Sequence, residues 1–210
     1  MNKKILCALT VVFIFSFGLP QAQDHKNKVA VSLLGGLAVP AGDFASIDPG
    51  KGNAKTGYTF GGSVEYFFRE KGSLGLNFMY NTFDDKDTSD IKNRIISYGL
   101  VGRYILNTHP EVDYYLRFGL GLAKFKIEGS GAARSYDLKP TIEVGLGFSY
   151  KLSSSLSLLG ETVYNQVLEE NAKYSLGGVK QPALGYDLQH FGIYTGLVFY
   201  IKTKQQESSY

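Results

Sequence analysis

The chain has 210 residues, 44% hydrophobic and 20% charged, with a net charge of +3, 25 Gly, 15 Tyr, 14 Phe, one Cys and no Trp. That length suits one domain with a sizeable core or a closed barrel. Average usage would give roughly 15 Gly, and the excess of Gly and aromatics excludes a coiled coil and a disordered chain; a collagen repeat and a disulfide scaffold are excluded as well. The charge is too small and too scattered for a nucleic-acid surface, so no nucleic-acid partner is expected.

The first element is an address. Asn2, Lys3 and Lys4 form a short positive region, residues 5–19 are fifteen uncharged and mainly apolar positions, and Pro20-Gln21-Ala22 ends on a small residue. This is the layout of a secretory signal peptide, here residues 1–22. The competing reading, a transmembrane anchor, needs ~20 apolar residues. Cys7 lies too early to become a lipidated first mature residue. Cleavage after Ala22 removes Lys3, Lys4 and the only Cys, taking the net charge from +3 to +1. An exported chain with no second long apolar run is either water-soluble outside the cytoplasm or crosses an outer membrane as strands.

From residue 29 onward, period two dominates. Residues 29–39 are almost continuously apolar. Tyr58, Phe60, Gly62, Val64, Tyr66 and Phe68 then alternate with Thr59, Gly61, Ser63, Glu65 and Phe67. Leu74, Leu76, Phe78 and Tyr80 alternate with Gly75, Asn77, Met79 and Asn81; Ile96, Tyr98, Leu100, Gly102 and Tyr104 with Ser97, Gly99, Val101 and Arg103. In the second half Leu116, Phe118, Leu120 and Leu122 alternate with Arg117, Gly119, Gly121 and Ala123. Ile142, Val144, Leu146, Phe148 and Tyr150 face away from Glu143, Gly145, Gly147 and Ser149. Residues 156–165 are mixed, with Glu161 opposite Leu156, Leu158 and Tyr164. The last run sets Phe191, Ile193, Leu197, Phe199 and Ile201 against His190, Gly192, Tyr194, Gly196 and Tyr200. A strand sorts these residues onto two faces, whereas a helix would scatter them. The count is eight strands of about ten residues or more, the length a tilted strand needs to cross a bilayer.

The connections sharpen this. Those at 70–72, 107–111 and 153–155 are short and turn-like, and those at 41–56, 84–93, 128–137 and 168–188 are long and polar. Strict alternation of short and long is the habit of barrels with tight periplasmic turns and long external loops. A soluble barrel would carry a charged outer face. Here the less apolar face is Gly, Ser, Thr, Asn and Ala with isolated Glu65, Arg103, Arg117, Glu143 and Glu161, which suits a narrow lumen. The expected fold is therefore all-β: an eight-stranded antiparallel up-and-down transmembrane β-barrel over residues 23–202, with a polar tail at 203–210 and no second domain.

The stretch Gly35-Gly36-Leu37-Ala38-Val39-Pro40-Ala41-Gly42-Asp43-Phe44, with Thr56-Gly57-Tyr58 and Glu65-Tyr66-Phe67-Phe68, resembles the outer-membrane β-barrel domain family of small OmpX/OmpA-like barrels in Bacteroidetes-type bacteria. The resemblance implies residence in the cell outer membrane, contact with its lipid and lipopolysaccharide, and insertion by the barrel-assembly machinery. The last strand, with Gly196, Phe199 and Ile201, is similar to the assembly signal, although that strand normally ends the chain. Either Phe199-Tyr200-Ile201 or the terminal Tyr210 could serve.

An eight-stranded lumen is only wide enough to be filled by side chains, and unpaired buried charge is very costly. Arg103 and Arg117 are thus expected to pair with Glu143, Glu161 and Glu65, plugging the lumen. No cofactor and no metal site is expected. Asp84, Asp85, Asp87 and Asp90 lack the spacing of a calcium loop and read as a solvated acidic tip. Among His25, His109 and His190, only His190, at the external end of the last strand and near Asp187, suggests catalysis, of the lipid A- or phospholipid-modifying kind; the usual His-x-Ser is absent because Gly192 follows. The leading expectation is a non-catalytic protein, structural in the envelope or meeting an extracellular partner through its long loops. A barrel enzyme, a narrow pore and a carrier of small hydrophobic ligands are the alternatives.

Overall fold

The computed structural model describes residues 25–203 apart from 49, 89, 109–110, 130–131, 137, 169–173, 177–178 and 182–186. The segment read as a signal peptide, His109 and nearly all of the polar tail lie outside the described residues. Eight long strands carry the architecture: β1 (Lys28–Ala41), β2 (Gly57–Phe67), β3 (Gly72–Asp84), β4 (Lys92–Thr108), β5 (Val112–Gly129), β7 (Lys139–Lys151), β8 (Leu156–Val167) and β11 (Gln189–Lys202). Each pairs antiparallel with its neighbour, and β1 pairs with β11 from Lys28↔Lys202 to Ala41↔Gln189. The cylinder is closed. Among the described residues, the register shifts between Ile105 and Asn107 on β4.

Period-two burial follows the alternation of the sequence. Leu76, Leu120 and Leu146 are each 65% exposed, on the same strands whose inward Asn77, Arg117 and Glu143 are buried. Leucines standing outward at mid-strand all round a cylinder would face water in a soluble protein; they are the apolar band of a barrel whose solvent is lipid. No helix among the described residues is long and apolar enough to cross a membrane.

The long-loop end holds structure that alternation alone did not reveal. The segment 41–56, expected as a polar loop, contains α1 (Gly42–Ala45), whose Phe44 is fully buried. Gly42, at φ +55°, turns the chain over the mouth in a conformation that disfavours other residues. Phe44 then meets Phe83 at 5.0 Å and Phe125 at 6.0 Å, both edge-on, roofing an apolar cluster with Ile95, Tyr136, Val167 and Leu188. The segments 128–137 and 168–188 contain β6 (Ala132–Tyr136), β9 (Tyr174–Leu176) and β10 (Val179–Gln181), which extend the sheet from the upper end of β5.

Closure gives a test. The unheated, detergent-extracted chain should migrate on a gel as a compact species that shifts on boiling. Truncation after residue 188, which deletes β11 and leaves the edges of β1 and β8 unpaired, should abolish that species.

Candidate functional site in the barrel lumen

Arg103 and Arg117 face the lumen from the same rung, directly opposite each other across β4 and β5. Like charges so placed repel, and the two guanidinium groups are drawn to different carboxylates. Arg103 Nη2 lies 2.8 Å from Glu65 Oε1 and also donates to Ser32 Oγ at 3.0 Å. Glu65 in turn accepts from Ser63 Oγ and Ser73 Oγ, both at 2.7 Å. Arg117 donates from Nη1 to Glu161 Oε1 at 3.2 Å and from Nη2 to Glu143 Oε2 at 3.3 Å. Glu161 also accepts from the Tyr115 hydroxyl at 3.0 Å, and Glu143 from Asn77 Nδ2 at 3.0 and 3.1 Å. The Arg103 guanidinium stacks over the Tyr115 ring, 5.1 Å from its centroid, and so ties the two halves together.

Three carboxylates thus face two guanidinium groups, and neutral donors satisfy the surplus oxygens. All five charged side chains are buried. Glycine makes the room: a Cβ on Gly119 would stand 2.8 Å from Glu143 Oε2. Tyr115, Tyr194, Phe67, Met79 and Leu159 fill the space around the charges, and the apolar cluster under Phe44 closes the lumen above.

The other sequence candidates go elsewhere. His190, expected at a strand end near Asp187, faces inward and is buried; neither ring nitrogen has a hydrogen-bond partner, and its neighbour is the edge of Phe83 at 5.4 Å. Asp187 accepts instead from Gln189 Nε2 at 3.4 Å. Alternation explains this placement, since 190 shares the inward parity of Gly192 and Tyr194 while Gln189 does not. The structure therefore does not assemble a His–Asp pair. The acidic segment acts as a fastener between loops: Asp85 Oδ1 accepts from the backbone N–H of Asp87 and Thr88, and Asn53 Nδ2 donates to Asp85 and Asp87. Among the described residues no group of His, Cys, Asp and Glu is placed to hold a metal ion.

One buried pair had no local signal in the sequence. His25, ahead of the first strand, enters the short-turn mouth, where its Nε2 lies 2.9 Å from Asp113 Oδ2 and its ring packs at 5.1 Å from Phe67 and 5.3 Å from Tyr200. The partners are 88 positions apart.

A closed antiparallel cylinder with an apolar outer band and a charge-filled lumen defines a small transmembrane β-barrel. The chain belongs to the outer membrane protein beta-barrel domain family, whose model matches residues 7–198. It is similar in fold to Neisserial surface protein A (16% identity, TM-score 0.58, covering 83% of this chain and 97% of that one). It is also similar to the outer membrane protein OprG from Pseudomonas aeruginosa (16%, 0.57, 87% and 100%) and to Ail, the attachment invasion locus protein of Yersinia pestis (14%, 0.51, 84% and 99%). No curated protein sequence matches the chain.

Replacing Arg117 alone isolates two buried carboxylates. Arg117→Met should lower the unfolding free energy by about 3–5 kcal/mol, read as a shift in the denaturant midpoint of the compact gel species. The triple variant R117M/E143Q/E161Q should recover most of that loss.

Proposed function

We propose that this protein is a sealed, non-catalytic barrel of the outer membrane, serving envelope structure and contact with extracellular partners through its long loops. The observation that carries the reading is the lumen network: two guanidinium groups and three carboxylates at mid-barrel, packed between apolar side chains. A filled lumen of this kind opposes the passage of ions, because any ion would have to displace paired charges in a low-dielectric interior. An enzyme of the same fold would need an activated nucleophile or water, and His190 has neither an acid nor a nucleophile hydrogen-bonded to it.

The contact half of the reading draws on the long-loop end. There β6, β9 and β10 carry the sheet beyond the strands that form the cylinder, and the loops 41–56 and 84–93 are bonded to one another. Such pre-ordered loops lose less entropy on meeting a partner than free ones. One structural neighbour bears the name attachment invasion locus protein, and a contact role is in keeping with it. Export through the segment 1–22, followed by delivery to the barrel-assembly machinery, completes the proposal.

Planar bilayers containing the purified, compact protein should show no stable conductance steps under an applied voltage. Sustained, reproducible openings would overturn the sealed barrel in favour of a pore.

A further inference from the structure

The roof over the long-loop mouth encloses a titratable ring whose seat is apolar. His190 is buried beside the ladder positions of Pro40 on β1 and Asn165 on β8, with the edge of Phe83 at 5.4 Å. Phe44 of α1 lies across the same Phe83 at 5.0 Å. The inward residues of β1 and β3 at this height are Ala38, Phe83 and Asn81, all uncharged. On β8, Asn165 Nδ2 donates to the Val163 carbonyl, and Glu161, two inward positions further down, is held by Arg117 and Tyr115. Tyr194 stands two inward positions below His190 on β11, and Tyr136 packs on Phe125 at 5.1 Å. The flanking carboxylates are engaged or turned away. Asp43 of α1 pairs with Lys51, Asp187 accepts from Gln189, and Asp84 lies on the outward parity of β3 opposite Lys92.

A protonated imidazole carries a charge and two N–H donors. Neither nitrogen of His190 meets an acceptor among the described residues, and an unpaired buried charge is very costly. The proton therefore enters only with water, and water enters only if the roof parts. Two more polar atoms wait beneath it: Thr59 Oγ1 and Asn81 Oδ1, side by side on β2 and β3, are buried without a hydrogen-bond partner among the described residues. Water admitted at His190 would satisfy these as well. The direction of the pH effect follows. An opened seat lets the ring take a proton near the ordinary imidazole range of about 6.5, whereas the closed seat does not. The open form thus binds more protons, and falling pH favours it.

The roof has a part built to move. Gly42 opens α1 at φ +55°, and the helix has no side-chain cap at its start. The carbonyls of Asp43 and Phe44 accept the N–H groups of Gly52 and Ala54, both at 3.0 Å. The following residues are pinned to the neighbouring loop instead: Lys55 N–H to the Asp84 carbonyl at 2.7 Å, and Lys86 N–H to the Asn53 carbonyl at 3.0 Å. Turning α1 about Gly42 would break the first two bonds and leave the last two in place.

We propose that α1, with Phe44 as its plug, is an acid-released lid on the external mouth, and that His190 is its proton sensor. Protonation draws water to the ring, Phe44 lifts from Phe83, and the apolar floor of Phe83, Phe125 and Leu188 opens to the outside. The lid acts above the arginine–glutamate network, so it stands whether or not the barrel conducts.

The test is backbone amide exchange of the full-length compact protein, corrected for the intrinsic pH dependence of exchange. In the wild type, protection of the Gly52 and Ala54 amides should fall about tenfold per pH unit below about pH 6.5, while Lys55 keeps its protection. His190→Phe, which fills the seat with an uncharged ring, should abolish the fall. Protection independent of pH in the wild type would overturn the proposal. An equal fall in H190F would overturn it too, since the proton would then act at Asp43 or Asp85. Should H190F not form the compact gel species, the wild type decides by nuclear magnetic resonance of its labelled histidines. Protonation of His190, identified by its contact with Phe83, should run parallel to the loss of protection at Gly52 and Ala54; either event without the other overturns the lid.

Discussion

Hydrocarbon offers no hydrogen bonds. Every backbone N–H and C=O that a strand carries through it must therefore be paired within the protein, and a sheet can meet that demand only by having no edge. The pairing of β1 with β11 satisfies it here. The rest of the molecule follows from that ring: with eight strands the enclosed space is narrow, with period two one face of every strand points into it, and charges placed on that face must find partners there. Arg103 and Arg117, opposed on one rung, do so by turning to different strands, Glu65 on one side and Glu143 with Glu161 on the other.

The lumen is thus two things stacked along one axis. At mid-height it is polar, with serines, Asn77 and Tyr115 completing the coordination of carboxylate oxygens. Toward the long loops it is apolar, with Phe44 laid across Phe83 and Phe125. The arrangement fixes the interior by two independent means. Ionic pairing locates the mid-section, where the strands cannot slip without stranding a charge, and close packing locates the mouth.

Much of this was legible in the sequence, because period two is a strong signal when one solvent is lipid and the other a narrow polar core. It sorted Leu120 from Arg117 and Glu143 from Leu146 without further help. It could not say which arginine meets which glutamate, since that depends on strand tilt and on side-chain reach across the lumen. Nor could it find β6, β9 and β10, short segments held by backbone pairing above the band and free of the alternation that a core imposes. The period puts His190 on the last strand, but its surroundings cannot be read from Asp187, because closeness along the chain says nothing when adjacent positions point to opposite faces. Phe44 was hidden by its neighbours, since Gly42, Asp43 and Ser46 make the segment look like an ordinary exposed turn.

His25 also acts as a stopper at the short-turn mouth. His25 rests on three walls at once, against Phe67 of β2, Asp113 of β5 and Tyr200 of β11. Next to it Asn27, at φ +62°, donates its N–H to the Phe67 carbonyl and accepts at its own carbonyl from the Thr203 N–H and hydroxyl. No subset of neighbouring strands supplies all of these partners; they converge only once the first strand has met the last. The seat of the imidazole is accordingly a property of the finished cylinder, and an occupied seat certifies that the seam beside it has shut.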